Sequence, residues 1–160
     1  MTIFEFIGQA LVGWMIADAL GGVVHWWLDR VGSPTMPLIG KQVAANHLHH
    51  DQPLAFAKRS LWVRNGSLWA LVAVLALLWL VTLGPSVVLL FAALGASLTN
   101  EVHLQAHRPL KANRAIRLLQ DIGIIQSPKH HAGHHKKPHD RNYCPLTDWL
   151  NPVVYLIRKT

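Results

Sequence analysis

Between Arg64 and Glu101 the chain runs for 36 residues without a charge. As one helix this stretch would measure about 54 Å, against a hydrocarbon core of about 30 Å. One helix is too long, two of about 18 residues fit, and Gly84-Pro85 supplies the break between them. Residues 68–83 and 86–100 are therefore predicted to form a membrane hairpin. An earlier apolar stretch, 6–28, is also long enough to span and carries only Asp18 and His25 as ionisable groups. It is too long for a signal-peptide core and lacks a basic start and a small-residue cleavage site. Residues 115–126 are apolar on one side but too short to cross, which predicts a re-entrant or interfacial helix. Residues 153–157 form a last apolar piece, closed by Arg158 and Lys159 and expected to lie on the membrane surface.

Charge then orients the spans. Arg30, Lys41, Lys58, Arg59 and Arg64 lie between the first and second spans, and every later Lys or Arg follows the third. The positive-inside rule puts the first residues and the Gly84-Pro85 turn outside, with the 29–66 loop and the C-terminal third in the cytoplasm. The net charge of +7 follows from topology and from attraction to anionic headgroups. No nucleic-acid-binding signature accompanies it, so no nucleic-acid partner is expected. Cys144 is the single cysteine, which excludes an intrachain disulfide and any cysteine-built zinc or iron-sulfur site. Trp26, Trp27 and Trp62 fall near span ends, where interfacial anchors are found. By length the 160 residues make one domain. The fold expected is an all-α integral membrane protein with about three transmembrane helices, a short re-entrant or interfacial helix and a cytoplasmic histidine-rich cap.

The histidines follow that topology: all eleven fall at or beyond the cytoplasmic boundary. His25 lies about 28 Å along the first span and His103 about 27 Å along the third, so both arrive at one face. Asp18, His25 and Asp29 share one side of the first helix, and His103 and His107 are spaced i, i+4. His47, His49 and His50 crowd the loop between spans. His130, His131, His134, His135 and His139 lie within ten residues, with His131 three and four positions from His134 and His135 and so able to share a metal on a helix. A solvated basic loop competes with this reading, because Lys129, Lys136 and Lys137 flank the run. A purification tag does not, because the run is internal and interrupted.

A dense set of imidazoles without cysteine points to iron, copper, zinc or nickel. One zinc takes three or four protein ligands, so two metals sharing the histidines is the economical reading. Spacing does not tell iron from copper or zinc. Iron is preferred by need: lipid chains are the substrate at hand, and unactivated C–H bonds call for oxygen chemistry that redox-inert zinc does not supply.

The chain resembles the plasmanylethanolamine desaturase family, the Kua or CarF-type lipid desaturases. The resemblance covers roughly Asp18 to Leu156 as a single lipid desaturase domain over 1–160. It rests on Val24-His25-Trp26 with Asp29, Leu38-Ile39-Gly40-Lys41, His49-His50 with Pro53, and Thr99-Asn100-Glu101-Val102-His103 with His107. It continues through Leu118-Leu119-Gln120-Asp121, His130-His131-Ala132-Gly133-His134-His135, Pro138-His139, Tyr143-Cys144 and Trp149-Leu150-Asn151. It implies a membrane non-haem di-iron desaturase that uses O2 to remove two hydrogens from an ether-linked or acyl chain of a phospholipid. By position it implies His25, His49, His50, His103, His107, His131, His134, His135 and His139 as iron ligands. His130 is then a ligand or an outer partner, and His47 an accessory ligand or a surface residue. Asp18, Asp29, Asn100 and Asp121 are expected as outer partners that orient the imidazoles. No flavin, haem or iron-sulfur motif is present, so a separate ferredoxin- or cytochrome b5-like donor is expected, and the bacterial inner membrane is the expected location. Two readings compete: a lipid hydroxylase on the same di-iron centre, and a non-catalytic membrane protein that binds or transports metal.

Overall fold

The computed structural model describes residues 1–152 and contains helices only; the expected apolar piece at 153–157 lies outside the described residues. Three helices are long and apolar enough to cross a membrane: α1 (Ile3–Arg30), α4 (Leu61–Leu83) and α5 (Val87–Ala106). Between α1 and α4 come α2 (Gly40–Asp51) and α3 (Pro53–Ala57). After α5 come a 3-10 turn (Pro109–Lys111), α6 (Arg114–Asp121) and α7 (Pro128–His134). The protein is thus an integral membrane protein of three spans with its histidines gathered at one end.

Hydroxyl and amide caps start these helices. Thr2 and Glu5 form a reciprocal capping box on α1, while Ser60, Ser86, Asn113 and Ser127 accept backbone N–H bonds at the starts of α4, α5, α6 and α7. Gly84, at φ 78°, closes α4 and turns the chain into α5. α6 is shorter than the predicted 115–126, because the chain leaves the helix before Gly123, whose φ of 76° no continuing helix accommodates.

The spans overrun their predicted bounds toward the histidine end. α1 at 28 residues is about 42 Å long, so its last two turns, with His25 and Asp29, sit at or beyond the edge of a ~30 Å hydrocarbon layer. α4 begins at Leu61 rather than 68, although Arg64 lies in its second turn. That charge is neutralised in place. Arg64 forks onto Glu101 of α5 with Nε–Oε1 at 2.7 Å and Nη2–Oε2 at 2.9 Å, and the fully buried Asn65 donates to Oε1 at 2.7 Å. Removing one partner of such a pair strands the other, so Arg64→Met is expected to cost about 3 kcal/mol of stability, the lower end for a partly buried pair. Thermal unfolding in detergent measures this, and an unchanged melting temperature would show the pair to be idle.

α1 and α5 pack closely. A side chain at Gly13 would run into the Val88 carbonyl oxygen, and one at Gly95 would come within 2.9 Å of the Ala17 Cβ, so glycine at both positions lets the backbones approach. Ala17, Val102, Ile125 and Leu146 form the buried apolar cluster where these helices meet the later segments. The opposite faces stay apolar and uncovered: Leu71, Val74, Leu75, Leu78 and Val81 of α4 are all exposed, as lipid-facing positions are.

Candidate metal centre

The histidines resolve into two adjacent groups. Group A is His49, His103, His107, His131 and His135; group B is His25, Asp29, His50 and His134; within each, the candidate ligand atoms lie within 4.8 Å of one another. Helical periodicity explains the membership. His103 and His107 on α5, and His131 and His135 on and just after α7, are one turn apart and converge on group A; His25 and Asp29, one turn apart on α1, both face group B. The paired histidines divide: adjacent helical residues point about 100° apart, so His49 serves group A and His50 group B, and likewise His135 and His134. The helices α2 and α7 therefore stand between the groups. His131 shares a group with His135 and not with His134, which corrects the sequence reading on that point.

In group A the Nε2 atoms form a closed circuit: His49–His103 2.7 Å, His103–His107 3.1 Å, His107–His131 2.7 Å, His131–His135 3.1 Å and His135–His49 3.1 Å. Each imidazole nitrogen is either a donor or an acceptor. Around a ring of five contacts these roles cannot alternate, so no choice of tautomers satisfies every contact. A cation at the centre does, since it takes a lone pair from each nitrogen. Two nitrogens at right angles on one ion, each ~2.0–2.1 Å from it, are about 2.9 Å apart, which is the spacing found. Burial, with mutual repulsion behind it, lowers His49 to about 2 and His135 to about 3, and burial lowers His107 to about 4. These rings are therefore neutral at pH 7, the form that ligates.

Group B reaches the same requirement by another route. His25 Nδ1 donates to the Tyr143 carbonyl at 3.1 Å and His134 Nδ1 to the Arg141 carbonyl at 2.7 Å. Both bonds turn Nε2 inward, the arrangement that orients metal-binding imidazoles. There His25 Nε2 and His134 Nε2 stand 3.8 and 3.4 Å from Asp29 Oδ2, and all three atoms are buried without a hydrogen-bond partner. The tautomer that donates from Nδ1 carries its lone pair on Nε2, so two imidazole lone pairs and a carboxylate oxygen face one another. Such a junction is costly unless a cation joins it. Asp29 Oδ1 accepts from Asn46 and lies 2.9 Å from His50 Nε2. The sequence reading cast Asp29 as an orienting partner; its carboxylate instead stands among the donor atoms of group B. The two groups nearly touch, with the rings of His50 and His135 at 5.2 Å and those of His25 and His103 at 6.1 Å.

The remaining expected residues lie outside both groups. The His139 ring lies 4.4 Å from the His50 ring, tilted 56° to it, and donates from Nδ1 to the His134 carbonyl. It borders an open cleft of about 280 Å3 lined also by Asp29, Arg30, His47, His50 and Asp51. His47 donates to the Leu28 carbonyl. His130 is 3.8 Å from Asp148. Asp18 holds the backbone of Leu146 and Thr147, Asn100 donates to the Arg64 carbonyl, and Asp121 is exposed at the end of α6. What composition could not reveal is the contribution of the Tyr143 and Arg141 carbonyls, because any residue type offers one. Cys144 is buried with its thiol pushed up to about 12, mainly by desolvation, and so is not a thiolate ligand.

Three helices fit to span a membrane, with a double cluster of inward-facing imidazoles gathered at one end, define a membrane protein with a histidine cluster able to hold metal. The chain belongs to the lipid desaturase domain family, whose model matches residues 14–158. It is 33% identical to a probable fatty acid desaturase of Acanthamoeba polyphaga mimivirus, over 94% of this chain and 76% of that protein. It is 30% identical to plasmanylethanolamine desaturase of Myxococcus xanthus (94% of this chain, 56% of the relative) and 32% identical to plasmanylethanolamine desaturase 1 of Mus musculus (92% and 59%). The chain thus spans little more than half the length of these last two. No solved structure matches it.

Proposed function

We propose that this protein is a di-iron lipid desaturase. The reaction is R–CH2–CH2–R′ + O2 + 2 e− + 2 H+ → R–CH=CH–R′ + 2 H2O, on a chain of a membrane phospholipid. The observation that carries this reading is the pair of adjacent donor groups, five imidazoles beside three imidazoles and a carboxylate, at the ends of helices that lie in lipid. Two irons bound there supply the O2 activation that an unactivated C–H bond demands. The residues of the chain do the rest. His49, His103, His107, His131 and His135 hold one ion, and His25, Asp29, His50 and His134 the other. The Tyr143 and Arg141 carbonyls keep His25 and His134 in the ligating tautomer. The apolar helices exclude bulk water from the reacting chain.

The chain acted on is ether-linked, as the names of two relatives suggest, or acyl, as the name of the mimivirus relative suggests. Electrons come from a separate ferredoxin- or cytochrome b5-like protein. The distribution of Lys and Arg supports a cytoplasmic position for the metal centre.

Expression in a host that makes ether lipids, followed by mass spectrometry of its lipids, tests the reading. A desaturase yields lipids lighter by two hydrogens, at a bond position absent from the control, and a hydroxylase yields lipids heavier by one oxygen. Iron-loaded protein that gives neither with O2 and reductant supplied would contradict both.

A further inference from the structure

Asn46 touches a donor residue of group B without belonging to the group. It lies four residues before His50 on α2, so helical pitch turns both side chains toward the end of α1. There the Asn46 amide donates from Nδ2 to Asp29 Oδ1, and His50 Nε2 lies 2.9 Å from the same oxygen. Asp29 Oδ2 faces the inward nitrogens of His25 and His134. Once His50 gives its Nε2 lone pair to an ion, Asn46 is the hydrogen-bond donor that remains on this carboxylate among the described residues.

The two groups differ in charge. Five neutral imidazoles leave an ion in group A its full charge, whereas Asp29 takes one unit from the charge in group B. An anionic donor stabilises a ferric ion more than a ferrous one, because the attraction grows with the charge of the cation, and net charge is one of the settings of a reduction potential. The bonds behind the imidazoles act in the same sense. His25 and His134 donate from Nδ1 to the Tyr143 and Arg141 carbonyls, which makes their Nε2 atoms more basic. His49 of group A and His50 of group B each have a buried Nδ1 without a partner, so these two offset one another. Arg30, a cation on the cleft beside group B, is met by Asp51 on the same cleft and by the charge of Asp140.

We infer that the two ions are unequal: the ion of group B loses its electron first, and Asn46 sets how readily, by drawing charge from the carboxylate of Asp29. The step is a one-electron oxidation. A diferrous centre gives a ferric ion in group B, a ferrous ion in group A and one electron, which passes to an added mediator such as ferricyanide. Asn46 acts on the ion only through Asp29. This inference rests on the di-iron reading, but its test needs neither lipid nor turnover.

The test is a potentiometric titration of the full-length protein in detergent, loaded with excess iron and desalted, with the ferric fraction read by Mössbauer and electron paramagnetic resonance spectroscopy. Wild type is expected to oxidise in two separate one-electron steps. Asn46→Leu removes the N–H donor at nearly the same volume. It moves the first step to lower potential by about tenfold in its equilibrium constant, about 59 mV for one electron, and leaves the second where it was. Asn46→Gln, which keeps the donor on a longer arm, falls between. Electron–nuclear double resonance of half-oxidised wild type, grown on aspartate with a magnetic carbon isotope in its side-chain carboxyl, makes the assignment without a substitution and stands in should Asn46→Leu fail to hold both ions. The labelled carbon is expected to couple to the ferric ion. Three outcomes overturn the inference: oxidation of both ions in one step, an Asn46→Leu shift that is absent or confined to the second step, or a labelled carboxylate coupled to the ferrous ion alone. Protein that holds one iron or none under iron excess overturns it together with the di-iron reading. Two unequal irons without an unsaturated lipid product keep it and remove the desaturase reading.

Discussion

Asp29→Asn is expected to leave one bound ion per chain where the wild type holds two, with no measurable lipid product. Asp29 is the single anionic donor across both groups, and its Oδ2 is the buried atom on which the inward-facing nitrogens of His25 and His134 converge. The amide matches the carboxylate in size but carries no charge, and its NH2 has no lone pair to offer a metal. Losing an outer partner of a ligand already costs metal affinity about 10- to 100-fold. Losing the donor itself costs more. Group A contains no carboxylate and keeps its ion. The apo fold also survives, because the substitution removes the oxygen that had no hydrogen bond. Metal analysis of the purified variant by mass spectrometry, with circular dichroism to establish folding, reads this directly. Two ions retained in a folded Asp29→Asn protein would show that group B is not a metal site.

The second large effect comes from a residue that touches neither group. Asp18 is fully buried within α1. Its Oδ1 accepts from the backbone N–H groups of Leu146 and Thr147 at 2.8 and 3.2 Å, and its Oδ2 accepts from the Thr147 hydroxyl at 2.6 Å. Asp18→Ala leaves three buried donors unsatisfied at about 1–3 kcal/mol each, hence roughly 3–9 kcal/mol in total. It also frees the segment whose Tyr143 carbonyl fixes His25 and whose Cys144 carbonyl and Leu146 carbonyl hold Gln126 ahead of α7. Lower thermal stability and loss of both ions are expected together. Asp18→Asn, which retains one acceptor oxygen, falls between. An Asp18→Ala protein with wild-type melting temperature and metal content would separate this segment from the centre.

Much of the architecture was legible because it is written along one dimension. An uncharged run of 36 residues broken by Gly84-Pro85 has few ways to satisfy its backbone in lipid other than two helices. The i, i+4 pairs 25/29, 103/107 and 131/135 follow from helical pitch. The start of α4 was not legible in that way. Arg64 reads as a span boundary until Glu101, distant in sequence, neutralises it. Nor was the division of His49 from His50 and of His134 from His135, since that depends on how α2 and α7 are rotated about their axes, which tertiary packing decides. Asp18 meets its partners 128 and 129 residues later. The family resemblance implied it as an orienting partner of the metal, and it lies on the face that bears His25. It acts on that face at one remove, by holding the loop whose carbonyl the imidazole needs.

The central claim is that two separate sets of donors each enclose an ion. Anomalous X-ray diffraction at the iron edge, on crystals of the iron-reconstituted protein, tests it most directly. The expected result is two peaks, one among the Nε2 atoms of His49, His103, His107, His131 and His135, the other between Asp29 and the imidazoles of His25, His50 and His134. A single peak, peaks elsewhere on the chain, or no anomalous signal from protein that is folded and supplied with iron would contradict it.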